Sequence, residues 1–359
     1  KVMKGLIDTL GLKAPDAATR IDSAIKMGRS QKSEYLEPLR QRLEVESDAK
    51  VQAALREALA ISLLENGDPG EVLAAVGELA AMKSIPAKDF IDKILAKETA
   101  GEGSETELSE ACTQALVTIE RHIKTIEFYG SFFRGFSTGS VLLIVSFGLA
   151  ITFGLMGVIN MAHGEFIMLG AYTTFVIQQW IPATSVWSLL ISIPAAFVVS
   201  GTAGIILERL VIRHLYGRPL ETLLATFGVS LILQQLVRTV FGPLNQSVVT
   251  PDLLSGALDI NAAFSVTYNR LFVITFALCV LVTLWLVMQR TSFGMRVRAV
   301  TMNRGMASSM GVQTNRVDAL AFGLGSGIAG MGGVALSLLT NVGPNLGQSY
   351  IVDSFMVVV

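Results

Sequence analysis

Asn160, His163 and Glu165 are the residues of this sequence best equipped for chemistry. They set an amide, an imidazole and a carboxylate close together in the run from Gly148 to Gly170, which is otherwise apolar and rich in glycine. An imidazole and a carboxylate this close are able to act as base and acid. Lipid solvates neither an ionisable side chain nor an unpaired peptide group, so the three must face a protein interior, a water-filled cavity or a membrane surface. No second histidine or aspartate cluster shares their neighbourhood. That counts against an intramembrane enzyme. Thr226, Gln234 and Gln235, on a later apolar stretch, add hydrogen-bonding groups without fixed charge, and for each of them an interhelical hydrogen bond is an equal expectation.

These groups need a membrane scaffold. The apolar tract around the first three runs from Phe136 to Ile181, about twice the ~20 residues of one span, and reads as two joined spans. Glycines at 154, 157, 164 and 170 allow a close helix approach or a chain break. The joint is then either a turn at headgroup level or a break within the membrane. A third span covers 187–210, with Trp180 and Trp187 at the preceding turn. Further spans are expected over 223–241, 271–288 and 319–339, and a seventh from Tyr350. The sixth repeats small residues at Ala321, Gly325, Ala329 and Gly333, a flat face that brings another helix backbone close.

Composition divides the 359 residues. Residues 1–125 carry 17 basic and 21 acidic side chains, whereas all eleven basic residues after them are arginine. We read 1–125 as a soluble helical domain and 126–359 as a transmembrane domain, all-α throughout. In the first, helices are expected over Ala17–Met27, Glu71–Ala80 and Lys88–Leu95. Stripes at Tyr35–Leu43 and Val51–Ser62, either side of a stop and cap at Glu46–Asp48, form a helix hairpin resembling a HEAT repeat. Breakers fall at Gly67–Gly70 and Pro86. Residues 101–107 read as a linker and 109–127 as a further helix. There is no metal-ligand spacing, and no cofactor is expected. Cys112 and Cys279, one per region, are not expected to pair. Both ends of the chain are expected to be truncated.

Eight of the eleven arginines fall in two loops, 209–218 and 290–316. The positive-inside rule makes both loops cytoplasmic and, counting back through the spans, puts the amino-terminal domain on the periplasmic side. The loop 290–316 has its own helical pattern. Ala299, Asn303, Ala307 and Gly311 recur at i, i+4, and so do Met302, Met306 and Met310. One short helix would offer methionines to a partner's groove, with Arg296, Arg298 and Arg304 meeting acidic groups or lipid headgroups. The alternative is an interfacial helix lying in the membrane surface.

Here the residues reach a family. Gly154-Leu-Met-Gly157 followed by Asn160-Met-Ala-His163-Gly-Glu165-Phe resembles the signature segment of branched-chain amino-acid ABC permeases. Thr291-Ser-Phe-Gly294-Met-Arg296-Val-Arg298-Ala-Val, with Asn303-Arg304 and Met310-Gly311, is similar to that family's cytoplasmic coupling segment. It departs from the usual importer loop, with Arg298-Ala299-Val300 where Glu-Ala-Ala begins. The resemblance runs from about residue 130 to the end. It implies a multi-pass permease subunit of the bacterial inner membrane, paired with a second homologous permease, two cytoplasmic ATP-binding subunits and a periplasmic solute-binding protein, and in contact with lipid but not nucleic acid. It also implies coupling to the ATPase through residues 294–311. No Gly-x-x-x-x-Gly-Lys-Ser/Thr loop occurs, so ATP hydrolysis is left to partner chains. The helical extension resembles that of urea-transporting members, which implies urea as the solute. The rival expectations are a branched-chain amino acid or short amide as solute, and a stand-alone channel.

Overall fold

A computed structural model describes residues 9–100, 107–157, 160–261 and 264–358. The expected linker 101–107 lies outside them except for Glu107. Contacts divide the chain into two compact units, Lys1–Gly130 with Asn261–Phe264, and Ser131–Ile260 with Ser265–Val359.

The first unit is an array of helices: α1 (Ala17–Ser30), α2 (Leu36–Val45), α3 (Ala49–Asn66), α4 (Pro69–Met82), α5 (Lys88–Ala100) and the start of α6 (Glu107–Met156). Leucine, valine and alanine recurring at helical spacing bury one stripe of each against its neighbours. Leu39, Leu55 and Met27 close one core, and Leu79, Ile91 and Ile119 another. The α2–α3 corner is held by a buried carboxylate. Glu46 Oε2 binds Arg20 at 3.0 Å and Arg42 at 2.7 Å, and Oε1 accepts the Ser47 and Asp48 amides. Asp48 then caps α3 by accepting from Lys50 N at 2.8 Å. Burial raises the Glu46 pKa, but the Asp48 amide and the two arginines outweigh it and hold the carboxyl at about 2. One local expectation is corrected. Pro69 and Gly70 end no more than the previous helix, because proline suits a first helical turn, and α4 starts on Pro69 with an Asp68–Glu71 capping box.

The second unit is a helical membrane bundle. Among the described residues, five helices are long and apolar enough to cross a membrane: α6, α8 (Val186–Leu210), α9 (Pro219–Phe241), α10 (Tyr268–Arg290) and α13 (Thr314–Ser337). The helix expected over 109–127 and the span expected from 136 prove to be the single element α6, since the residues between contain no proline. The stretch expected as the second span, α7 (His163–Trp180), is not among the five. It is wrapped by protein, with Phe166, Ile167, Met168 and Ala171 fully buried. A strand pair, β1 (Ala257–Asn261) and β2 (Phe264–Thr267), lies before α10, and α14 (Leu346–Val358) follows α13.

At the centre stands α13, almost wholly buried and packed mainly on α7 and α8. Small residues permit this. A methyl on Gly170 would overlap the Gly330 backbone, and one on Gly148 would meet the Gly325 carbonyl oxygen at 2.5 Å. The flat face read in the sequence is therefore a packing face.

Candidate functional site

The break between α6 and α7 is positioned from both sides. Gly157, with φ of +63°, is in the left-handed region, which a residue without Cβ adopts at no steric cost, and it stops α6. Asn160 Oδ1 then accepts from Ala162 N at 3.0 Å and turns the chain into α7. Asn160 and His163 are fully buried, and Glu165 nearly so.

What faces the joint is one side of α9. Thr222, Thr226, Ser230 and Gln234 recur every four residues and are all buried, so they form a polar stripe on an otherwise apolar helix. Arg238 continues the spacing and donates to Asn345 Oδ1 at 2.6 Å. At 1.5 Å rise per residue the stripe from 222 to 238 is about 24 Å long, most of a hydrocarbon core of about 30 Å. It engages the joint directly. Thr226 Oγ1 accepts from Met161 N at 3.1 Å, Ser230 Oγ donates to Glu165 Oε1 at 2.8 Å, and Gln234 Nε2 donates to the same oxygen at 2.7 Å. His163 Nε2 lies 3.2 Å from the Val145 carbonyl.

Each of the three joint side chains has one polar atom so engaged and one without a protein partner. Asn160 Nδ2, His163 Nδ1 and Glu165 Oε2 are all buried without a hydrogen bond, as is the hydroxyl of Tyr172 on α7. Buried polar atoms are normally satisfied, because leaving one unpaired costs about 1–3 kcal/mol. Donors and acceptors left without a protein partner are groups that a hydrogen-bonding solute could engage.

The structure thus brings Asn160, His163 and Glu165 together with Thr226 and Gln234. Gln235 is exposed on another face of α9 and takes no part. Ser230 and Thr222 were missed by reading residues singly. The signal that finds them is the four-residue period Thr222, Thr226, Ser230, Gln234.

The segment 290–316 differs from the single helix expected. It forms two helices, α11 (Ser292–Met302) and α12 (Arg304–Ser309), broken at Asn303 (φ −155°, ψ 99°). The side chain of Asn303 accepts from Met306 N at 2.9 Å and restarts the helix, a competition with the backbone that asparagine wins readily. The stripe Ala299, Asn303, Ala307, Gly311 is thereby split: Ala307 is buried, Ala299 is exposed, and Gly311 takes a positive φ after α12. Gly294 is buried against the Met288 carbonyl, where no Cβ fits. Met302, Met306 and Met310 remain 89%, 63% and 78% exposed, and Arg296 is exposed beside them.

The arginines are not all free for a partner. Arg298 donates to the Met288 carbonyl. Arg304 pairs with Asp318 of α13, whose carboxylate is fully buried, and its guanidinium lies 5.0 Å from the Tyr216 ring centre. The Tyr216 hydroxyl donates to Glu208 Oε1 at 3.3 Å, and Arg213 binds Glu208 Oε2 at 3.2 Å. Burial, with the Asp318 and Glu208 charges, pushes the Tyr216 hydroxyl far above its ordinary value and keeps it a donor. This chain of contacts fastens α12 to the ends of α8 and α13. Among the described residues no group of His, Cys, Asp and Glu is placed to hold a metal.

Comparison with known proteins follows the same division. Residues 131–359 match the family described as Branched-chain amino acid transport system / permease component. The chain is 28% identical over 220 residues to the high-affinity branched-chain amino acid transport system permease protein LivH of Escherichia coli (strain K12), covering 58% of this chain and 70% of that protein. It is 26% identical over 223 residues to the permease protein BraD of Pseudomonas aeruginosa, covering 60% and 72%. It is 25% identical over 220 residues to the probable LivH of Methanocaldococcus jannaschii, covering 60% and 68%. No solved structure matches.

Proposed function

Because the chain belongs to the branched-chain amino acid transport system permease family, we propose that it is a permease subunit of an ATP-driven importer of the bacterial inner membrane. We propose further that the polar face of α9 and the Asn160–Glu165 joint line the path of a branched-chain amino acid. One observation carries this reading: a buried polar stripe about 18 Å long faces a joint whose Asn160, His163 and Glu165 each keep one unpartnered atom. In an apolar bundle such groups are costly unless used. The names of the matched relatives favour a branched-chain amino acid over urea. Urea remains the second reading, because residues 1–130 fall outside the family match and resemble an extension of urea-transporting members.

The partners in this reading are a second homologous permease, two cytoplasmic ATP-binding subunits and a periplasmic solute-binding protein. The exposed methionines and Arg296 of 294–311 meet the ATP-binding subunit, whose nucleotide state favours one of two arrangements of the bundle. The arginine-rich loops face the cytoplasm, and residues 1–125 form a HEAT-like domain on the periplasmic side.

Uptake of labelled leucine and labelled urea, measured in parallel in cells making the whole transporter, tests the reading. Glu165→Gln and Asn160→Ala are expected to slow leucine uptake roughly tenfold or more, since a lost partner to a buried group is worth about 1–3 kcal/mol, while co-purification with the partners persists. Loss of assembly instead makes the joint a packing element. Wild-type protein that moves urea and not leucine overturns the choice of solute.

A further inference from the structure

A pocket of about 530 Å³ opens on the first unit, and nothing in the transport reading uses it. Its size lies within the range of about 300–1,000 Å³ typical of small-molecule sites. The inner wall is aliphatic, with Ile61 buried and Ile25, Ile85 and Ile123 half-buried. The outer edge carries four charged residues, Arg29, Glu57, Lys88 and Asp89.

The four charges are not equivalent. Lys88 is bonded to Glu120 at 3.1 Å, and it also lies in the field of Asp89. Arg29 and Glu57 have no ion-pair partner among the described residues. Yet they are close. A methyl on Gly28 would meet the Ala58 Cα at 2.6 Å, so the backbones of α1 and α3 touch there, and Arg29 and Glu57 are the adjoining residues of the two helices. Glu57 is also oriented, because Ser84, a buried hydroxyl, donates to its Oε1. Opposite charges thus stand at one helix crossing without bonding each other, above an aliphatic wall.

We propose that this pocket binds a small aliphatic zwitterion, an amino acid whose carboxylate is taken by Arg29, whose ammonium is taken by Glu57, and whose side chain rests on the isoleucines. The planar guanidinium suits a carboxylate in a forked geometry. A simple anion meets the unpaired Glu57, and a simple cation meets the unpaired Arg29, so each is disfavoured. A small polar molecule without an apolar part leaves the isoleucine wall wet. The site lies within the first unit, and the proposal holds whatever solute the second unit carries.

The test uses the full chain in lipid nanodiscs, with equilibrium binding of labelled leucine as the probe. Wild-type protein is expected to bind leucine at this site, whereas Arg29→Gln and Glu57→Gln each weaken binding tenfold or more with unchanged circular dichroism. On the wild type, 4-methylpentanoate, isoamylamine and urea are expected not to displace leucine, which keeps the test decisive if a variant fails to fold. Absence of leucine binding, unchanged affinity in both charge variants, or displacement by a single-charge analogue as potent as leucine overturns the proposal. Leucine uptake that survives in Arg29→Gln separates this site from the path.

Discussion

Arg304→Ala is the substitution on which the reading of the cytoplasmic segment turns. In the sequence this arginine appears available to a partner, whereas in the structure it neutralises Asp318, whose carboxylate is fully buried while the arginine side chain is 42% exposed. Exposed pairs contribute about 0–1 kcal/mol, and breaking a buried one costs about 3–5 kcal/mol. A half-open pair with one buried member falls between, at about 2 kcal/mol, or roughly thirtyfold in an equilibrium constant. The cost falls on the docking of α12, because the pair ties that helix to α13 and the Arg304–Tyr216 contact ties it to the loop between α8 and α9. Hydrogen exchange of the amides of residues 304–310 is expected to accelerate about thirtyfold in Arg304→Ala, by the same free-energy conversion. Adding Asp318→Asn removes the orphaned charge and is expected to restore most of the protection, a coupling that a double-mutant cycle isolates. A double variant as unprotected as the single one refutes the reasoning. So does an Arg304→Ala protein with native exchange and selective loss of ATPase binding, which would return the arginine to the partner surface.

Met306→Asp and Arg296→Glu are expected to uncouple the ATP-binding subunit, read as ATP hydrolysis no longer stimulated by solute, with the bundle intact by gel filtration. Normal coupled transport in both variants would make the segment a membrane-surface anchor. Gly170→Val forces a branched side chain into the Gly330 backbone and is expected to abolish recovery of folded protein, whereas Gly154→Ala, with open space around its Cβ position, is expected to be silent by thermal melting. Glu46 is held at about 2 in the fold against 4.5 as its reference. Its stabilisation is therefore complete above pH 4.5 and lost as pH falls from there through 2. Exchange protection over residues 36–66 is expected to follow that fall, and Glu46→Gln is expected to flatten it. A cysteine at Ser33 is expected to react with an impermeant reagent in intact spheroplasts, and labelling only after lysis would reverse the topology.

How much of this was legible in the sequence depended on whether the signal was local. Helices α1 to α5 are written in leucine and alanine periodicity and in caps such as Asp48, and they form close to where those residues place them. The small-residue face of α13 was equally plain, because glycines four apart leave a helix little else to do than pack closely. Where neighbours decide, the residues misled. The apolar tract through α7 reads as one of two joined spans, but α7 itself is not among the helices apolar enough to cross a membrane, and its apolar groups serve a protein interior. In 290–316 the alanine and methionine stripes fit one helix. A single asparagine side chain, bonded to an amide three residues on, was sufficient to divide it.

The same distinction bears on the path. Asn160, His163 and Glu165 stand out individually, since polar groups in an apolar run always do, but singly they are compatible with a turn, a catalytic pair or a packing device. Their meaning comes from α9, the least apolar of the five spans, where Thr222, Thr226, Ser230 and Gln234 are individually unremarkable residues. Only the four-residue period sets them on one face, and only the fold sets that face against the joint. Ser230 and Gln234 both donate to the same Glu165 oxygen and leave the other oxygen without a donor. A purely structural carboxylate in a bundle gains by having both oxygens satisfied. Ser230→Ala with Gln234→Leu therefore separates the two roles. If Glu165 serves packing alone, removing both donors destabilises the bundle and changes uptake only in proportion to the protein lost. If Glu165 lines the path, uptake per assembled transporter falls, and the preference between leucine and urea shifts.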